Sequence, residues 1–317
     1  MTSDCQSGRR SWFARNRMTL LSASAILAYA AFVQWFWGWP SLLRQWSQIG
    51  PGAAVLTLTL LVATYFIRCL RIYDYFPAET AGRFLPLFRV TQVHNLLNIM
   101  LPFRAGETSF PLLMRSEFSV PLARGTAALL VMRLLDLHAL LVVAAVGLVM
   151  GRNSAVWWGL WLAALVSPLL FFLLKDQAVA LSRRLLPTRL DAVVDEVEAG
   201  LPVDVSAFLR AWGMTVLNWA VKVVVLAWVL AVMGVAPLAA CFGGALGGEL
   251  SSVLPMHAPA GVGTYPAAIA AGAVAFGASA SRAGLDELAT AGVNAHLLII
   301  VSAVAGTMLS MLLGRKR

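Results

Sequence analysis

The sequence predicts an all-α polytopic membrane protein, and three observations carry that prediction. Of the 317 residues 60% are hydrophobic and only 12% charged, with a mean hydropathy of +0.78, whereas soluble domains carry roughly a quarter charged residues. The apolar residues fall in runs near the ~20 residues that cross a ~30 Å hydrocarbon core as a helix. Two further apolar regions are broken by proline and glycine around charged or polar residues, at Asn98 to Pro111 and at Leu254 to Pro266. Together they give about six full spans plus two re-entrant broken-helix hairpins, in one membrane domain over 1–317.

Arg9, Arg10, Arg15 and Arg17 precede the first apolar run. The uncharged run from Met18 to Leu43, which holds a span over 18–37, is too long for the apolar core of a signal peptide, so it is expected to be retained. The span ends in Trp35, Trp37, Trp39 and Pro40, an interfacial aromatic belt. Four arginines before it and only Arg44 after it predict a cytoplasmic N-terminus. A second span, Gly52 to Ile67, leads to Arg68, Arg71, Arg83 and Arg89, which read as charges at the same cytoplasmic surface. From Leu85 to Pro121 two apolar pieces flank the broken stretch, each too short to cross. A hairpin entering from the cytoplasm fits those lengths, and a surface loop between two helices is the alternative.

Gly125 to Gly151 is a full span carrying Arg133 and Asp136, which are three apart and share a helix face. A charge inside a span costs ~2.5–3.5 kcal/mol on insertion scales, so both point into protein or a wet cavity. They form either a structural ion pair or part of a site. The fourth span, 153–174, has no charge, and 175–204 reads as one or two cytoplasmic amphipathic helices at the membrane surface. Its Asp191, Asp195, Glu196 and Glu198 alternate with valines as a solvated face does. With no histidine partner or Ca²⁺-loop glycine among them, no metal is expected.

Ala211 to Met233 carries Asn218 and Lys222 four apart on one face. Lys222 either meets a substrate or neutralises Asp136 or Glu249. Leu238 to Ala280 is broken again: Gly243, Gly244, Gly247 and Gly248 lead to Glu249, and Pro255, His257, Pro259, Gly261, Gly263 and Pro266 follow. The last span, Leu288 to Gly314, ends in Arg315, Lys316 and Arg317, which predict a cytoplasmic C-terminus.

The second broken region can be laid on the first. Leu101 to Ala105 matches Leu254 to Ala258 and, after a two-residue insertion, Gly106 to Pro111 matches Gly261 to Pro266. Each motif lies between two spans, giving repeat one over 52–151 and repeat two over 207–314. The flanking charges place the first hairpin's entry inside and the second's outside, an inverted-repeat arrangement. Such a pair points to a transporter with its site near the bilayer midplane.

Asn98, Leu101-Pro102, Arg104, Gly106-Glu107 and Arg133-Leu134-Leu135-Asp136 also resemble the flippase-type membrane domain of the lysylphosphatidylglycerol synthases. The turn Pro255 to Gly263 is similar to that family's second signature. The resemblance covers about Met18 to Gly314 and implies a protein that moves an amphiphilic lipid, aminoacylated or linked to a sugar, between leaflets. It is that of a stand-alone member without the soluble aminoacyltransferase domain. Two positions depart from the pattern: Phe110 or Pro111 stands where a basic residue is expected, and Thr264, Tyr265 or Pro266 where an acidic one is.

The net charge of +9 does not point to nucleic acid, because the arginines and lysines sit at the ends of apolar runs. Cys5, Cys69 and Cys241 are too scattered for a disulfide framework or a metal site. No cofactor is implied. The candidate lipid-binding residues are Asn98, Arg104, Gly106, Glu107, Arg133, Asp136, Lys222, Glu249, His257, Gly261 and Gly263. Arg104 and Arg133 suit bidentate contacts to a phosphate, and backbone N–H groups beside the three glycines suit an anion at the hairpin tips. Two other classes stay open. One is a membrane enzyme using His257, Glu107 or Glu249 as acid or base; the other is a scaffold for a lipid- or glycan-modifying enzyme partner.

Overall fold

The computed structural model describes residues 24, 27, 28, 30, 31, 33–35, 38–150, 152, 154–254 and 258–314. The expected first span over 18–37 falls largely outside them, and the two arginine-rich termini and His257 fall wholly outside. Among the described residues there is no strand. The helices are α1 (Trp39–Ile49), α2 (Pro51–Tyr75), α3 (Pro77–Thr80), α4 (Phe84–Met100), α5 (Ser109–Phe118), α6 (Leu122–Met150), α7 (Ala155–Leu173), α8 (Lys175–Leu185), α9 (Asp191–Ala199), α10 (Val205–Val232), α11 (Leu238–Val253), α12 (Thr264–Ala275) and α13 (Arg282–Leu313).

Five of these, α2, α6, α7, α10 and α13, are long and apolar enough to cross a membrane. The chain is an integral, multi-pass membrane protein. Local chemistry marks where the long helices start. Pro51 opens α2 with its φ already helical and no N–H to leave unpaired. Asp204 caps α10 by accepting from the Ala207 N–H at 2.7 Å, and Ser281 caps α13 by accepting from Gly284 at 3.2 Å. Among the described residues α7 buries only Pro168 and Phe172, and most of its surface is exposed or half-buried.

Side-chain ties fix which helix ends lie together. At one end Arg210 donates to Asp74 at 3.0 Å, Arg124 donates to the Ala199 carbonyl at 3.1 Å, and Arg83 pairs with Glu117 at 2.9 Å. These join the start of α10 to the end of α2, the start of α6 to the end of α9, and the outer ends of α4 and α5. At the opposite end Gly147 near the end of α6 lies against Phe276, just past α12. Pro237, just before α11, lies against Gly277.

The two pairs α4–α5 and α11–α12 are thus helical hairpins with outer ends at opposite ends of the bundle. Their bends meet in its interior, where the turn Pro102–Thr108 lies against the turn Pro259–Gly261. Two apolar clusters surround that meeting point. One joins α2, α4, α5 and α13 through Tyr65, Phe88, Phe110 and Leu297; the other joins α10 to α13 through Trp219, Leu226, Ile269 and Leu298.

Candidate functional site

The site begins where α2 outruns its apolar stretch. The hydropathy pattern ends the span at Ile67, but the helix continues to Tyr75 and carries Arg68 and Arg71 into the protein. Arg71 is only 4% exposed. These two arginines, expected at the cytoplasmic surface, are part of the interior cluster instead. A buried guanidinium is tolerable only with a carboxylate and further acceptors around it, and Asp136 supplies the carboxylate.

Asp136 of α6 is fully buried and held by three side chains. Arg71 approaches it at 2.7 Å and 3.4 Å, Trp219 donates at 3.0 Å, and Arg133 donates at 3.3 Å. Arg71 also donates to Thr215 at 2.6 Å. The nearer partner of Asp136 is therefore Arg71, while Arg133 leans the other way. Its Nε lies 2.8 Å from Glu107, an ion-pair distance without hydrogen-bond alignment.

Glu107 also pairs with Arg104, which donates in addition to the Val253 carbonyl at the end of α11. That bond ties the first hairpin's tip to the second hairpin. Arg104 has φ 56, and Ala260 at the facing turn has φ 52, a left-handed backbone that costs ~1–2 kcal/mol per non-glycine residue. Both bends thus carry one strained residue, although Ala260 falls in the two-residue insertion of the second motif and does not align with Arg104.

The other half of the cluster lies on α10, α11 and α12. Glu249 is fully buried and receives Lys222 at 2.8 Å, Tyr265 at 3.1 Å and Ser252 at 3.3 Å. The Lys222 ammonium lies 4.8 Å above the Trp219 ring, and Tyr265 stacks on His296 at 4.7 Å. Trp219 links the halves, its N–H on Asp136 and its face under Lys222.

Between the halves is a cavity of about 50 Å³, lined by Tyr65, Arg68, Asn95, Asn98, Arg133, Lys222 and Glu249 among others. At ~10–15 Å³ for each water, it holds a few waters and no head group. Arg68 donates to Asn95 at 2.8 Å and has no carboxylate partner among the described residues. The Nε of Arg68, the Nδ2 of Asn95 and the Oδ1 of Asn98 are buried without a partner there. Among the described residues five cations, Arg68, Arg71, Arg104, Arg133 and Lys222, face three carboxylates, Glu107, Asp136 and Glu249, leaving a surplus of two positive charges.

Of the expected residues, Asn98, Arg133, Lys222 and Glu249 line this cavity, and Arg104, Glu107 and Asp136 join it through the ion pairs around Arg133. The glycines do other things. Gly106 lets the turn press on α4, where any side chain would strike the Leu97 and Asn98 backbone. Gly261 spends its N–H on the Ala258 carbonyl at 2.8 Å, so it offers no free donor to an anion. Gly263 is exposed with φ 77, a conformation that favours glycine. Asn95, Trp219, Tyr265 and His296 were missed in the sequence, because an uncharged polar or aromatic residue in an apolar run carries no signal of its own.

The acidic stretch of α9 pairs with α8: Arg183 meets Asp195 at 2.8 Å and Glu198 at 2.7 Å. The Glu198 hydrogen bond holds the Arg183 guanidinium above its usual range. Among the described residues no group of His, Cys, Asp or Glu is placed to hold a metal ion.

Comparison with curated proteins and with solved structures returns no match. A family model does match, over residues 20–313, and that span contains every part of the cluster and both hairpins. The chain belongs to the family described as the lysylphosphatidylglycerol synthase TM region.

Proposed function

We propose that the protein is a lipid transporter, a flippase that carries an amphiphilic lipid with an anionic head group between the two leaflets of the cell membrane. The observation that carries this is the surplus of two buried cations around a cavity inside a membrane protein. A buried charge without a counter-ion costs several kcal/mol, and an arriving phosphate offsets that cost. The family, tied to lipid handling, points to a lipid as the bearer of that phosphate.

Arg68 and Arg133 take the phosphate in this scheme, arginine being the planar fork that fits two phosphate oxygens at once. Arg133 is free to turn. Without it Asp136 keeps Arg71 and Glu107 keeps Arg104, so neither carboxylate is orphaned. Asn98 adds a side-chain amide, and Lys222 a second cation on the facing wall.

The two hairpins act as re-entrant segments and the two halves as an inverted repeat. Matched motifs, outer ends at opposite ends of the bundle and strained residues at both tips support this. Positive-inside sorting puts the end bearing Arg83, Arg124, Arg183 and Arg210 in the cytoplasm, with both termini and 175–204. The cavity is too small for a head group, so it represents a closed state, and rocking of one half against the other opens it to each leaflet in turn. In this scheme no bond is made or broken.

The test is transport of fluorescent phosphatidylglycerol in proteoliposomes, read with a membrane-impermeant quencher. Arg68→Ala and Arg133→Ala should each slow movement about 10–100-fold, the worth of one lost charge-assisted hydrogen bond of ~1.5–3 kcal/mol. Movement at the wild-type rate in both variants would sink the assignment.

A further inference from the structure

The two halves of the cluster differ in what they can do with a proton. Around Asp136 every cation is an arginine, which does not give up its proton in proteins. Around Glu249 the cation is a lysine at 2.8 Å, and the other donors are the hydroxyls of Tyr265 at 3.1 Å and Ser252 at 3.3 Å. Hydroxyls rotate and both donate and accept. A protonated Glu249 therefore keeps its partners without repacking, by donating to Ser252 while Tyr265 continues to donate to it.

Resting on the transporter assignment above, we propose that Glu249 is a proton-binding site, and that the protein moves one proton together with each anionic head group. Lys222 and Glu249 both line the cavity that would receive the head group. A phosphate between Arg68, Arg133 and Lys222 draws the ammonium off Glu249. That leaves a fully buried carboxylate facing two neutral hydroxyls, a state several kcal/mol too high to persist. One proton from the open side removes the charge. The anion and the proton together carry no net charge, so the transported pair is electroneutral.

Other titratable and charged groups face Glu249 from every helix around it. From α2 they are Tyr65 and Arg68, from α6 Arg133, from α10 Lys222, from α12 Tyr265 and from α13 His296. Tyr65 is tied to Ser302 at 2.7 Å, and the His296 ring stacks on Tyr265 at 4.7 Å. The arginines stay charged, and Lys222 is needed by the phosphate.

The test uses the full chain in proteoliposomes with fluorescent phosphatidylglycerol, a pH gradient and the membrane potential clamped to zero. At steady state the label should gather in the leaflet facing the alkaline side, about tenfold per pH unit for one proton per lipid. Glu249→Gln, a neutral isostere, should move lipid more slowly and leave the leaflets equally labelled at every gradient. Wild-type movement that ignores the gradient would overturn the proton site and leave the transporter assignment standing. Gradient-driven asymmetry surviving in Glu249→Gln would also overturn it, placing the proton elsewhere. No movement under any condition would remove the transporter assignment and the proton site with it.

Discussion

In the α11–α12 hairpin the two arms touch through their backbones, whereas in the α4–α5 hairpin they touch through side chains. On α11 a side chain at Gly243 would strike the Gly272 carbonyl, and one at Gly247 the Ala268 carbonyl. Gly244 and Gly248 give the same face room for Ile269 and Tyr265. The first hairpin has one such approach, at Gly106. Its arms are joined by His94 to Ser109 at 3.0 Å, by the His94 and Phe110 rings at 5.4 Å, and by Arg83 to Glu117. Lipid tails are as apolar as leucine, so helices in a membrane associate through small residues or polar contacts. Each hairpin uses one of the two, and the one held by polar contacts also carries the paired charges Arg104 and Glu107.

The difference can be broken most severely at the polar side. Arg71→Leu takes from Asp136 its nearest cation in a fully buried place, and removal of one partner of a buried pair costs ~3–5 kcal/mol. The double change Arg71→Leu with Asp136→Leu should recover most of that loss, since Arg133 keeps Glu107. Denaturant or thermal unfolding in detergent measures both. Equal damage from the single and the double change would show that the pair is not what holds α2 to α6.

At the glycine side the effect is smaller and sterically controlled. Gly247→Ala adds one carbon against the Ala268 backbone and should cost the ~1–3 kcal/mol of overpacking. Gly213→Ala on α10 has nothing within 4 Å of the added carbon, and should stabilise the helix by ~0.5–1 kcal/mol. Opposite signs in the same unfolding experiment are expected. Loss at both positions would mean that glycine matters for the helices themselves rather than for their approach.

The fold class and the broken stretches were legible because they rest on run length and on proline and glycine, which local sequence displays. Asn98, Arg104, Glu107, Arg133 and Asp136 were legible because charge or amide in such a setting needs a partner. Arg68 and Arg71 were not. Their place after the apolar run matches the pattern of an interface, and only the buried Asp136, 65 residues away from Arg71, makes a longer helix tolerable. One periodic signal was available: Tyr65, Arg68, Arg71 and Tyr75 recur every three or four residues and so line one face of α2. The pairing of Asp136 with Arg71 ahead of Arg133 had no local signal, because partner choice across helices is set by packing.

The smallest effect should come from the outer end of the first hairpin, and it separates the two ends of a single element. Arg83 pairs with Glu117 at 2.9 Å with both side chains well exposed, and its guanidinium lies 4.6 Å from the Phe118 ring. An exposed pair of this kind contributes ~0–1 kcal/mol, because water and salt screen it and two long side chains must be held still. At the inner end, Arg104 makes its bonds to Glu107 and the Val253 carbonyl out of water, at 9% exposure. There burial limits competition from solvent, and those contacts help to hold the strained backbone. Arg83→Ala should therefore shift unfolding by no more than ~1 kcal/mol, while Arg104→Ala in the same assay shifts it further and frees the tip from α11. If Arg83→Ala proved the more damaging, the hairpin would be anchored at its outer end, and the bond from Arg104 to Val253 would be a consequence of the meeting of the tips rather than its cause.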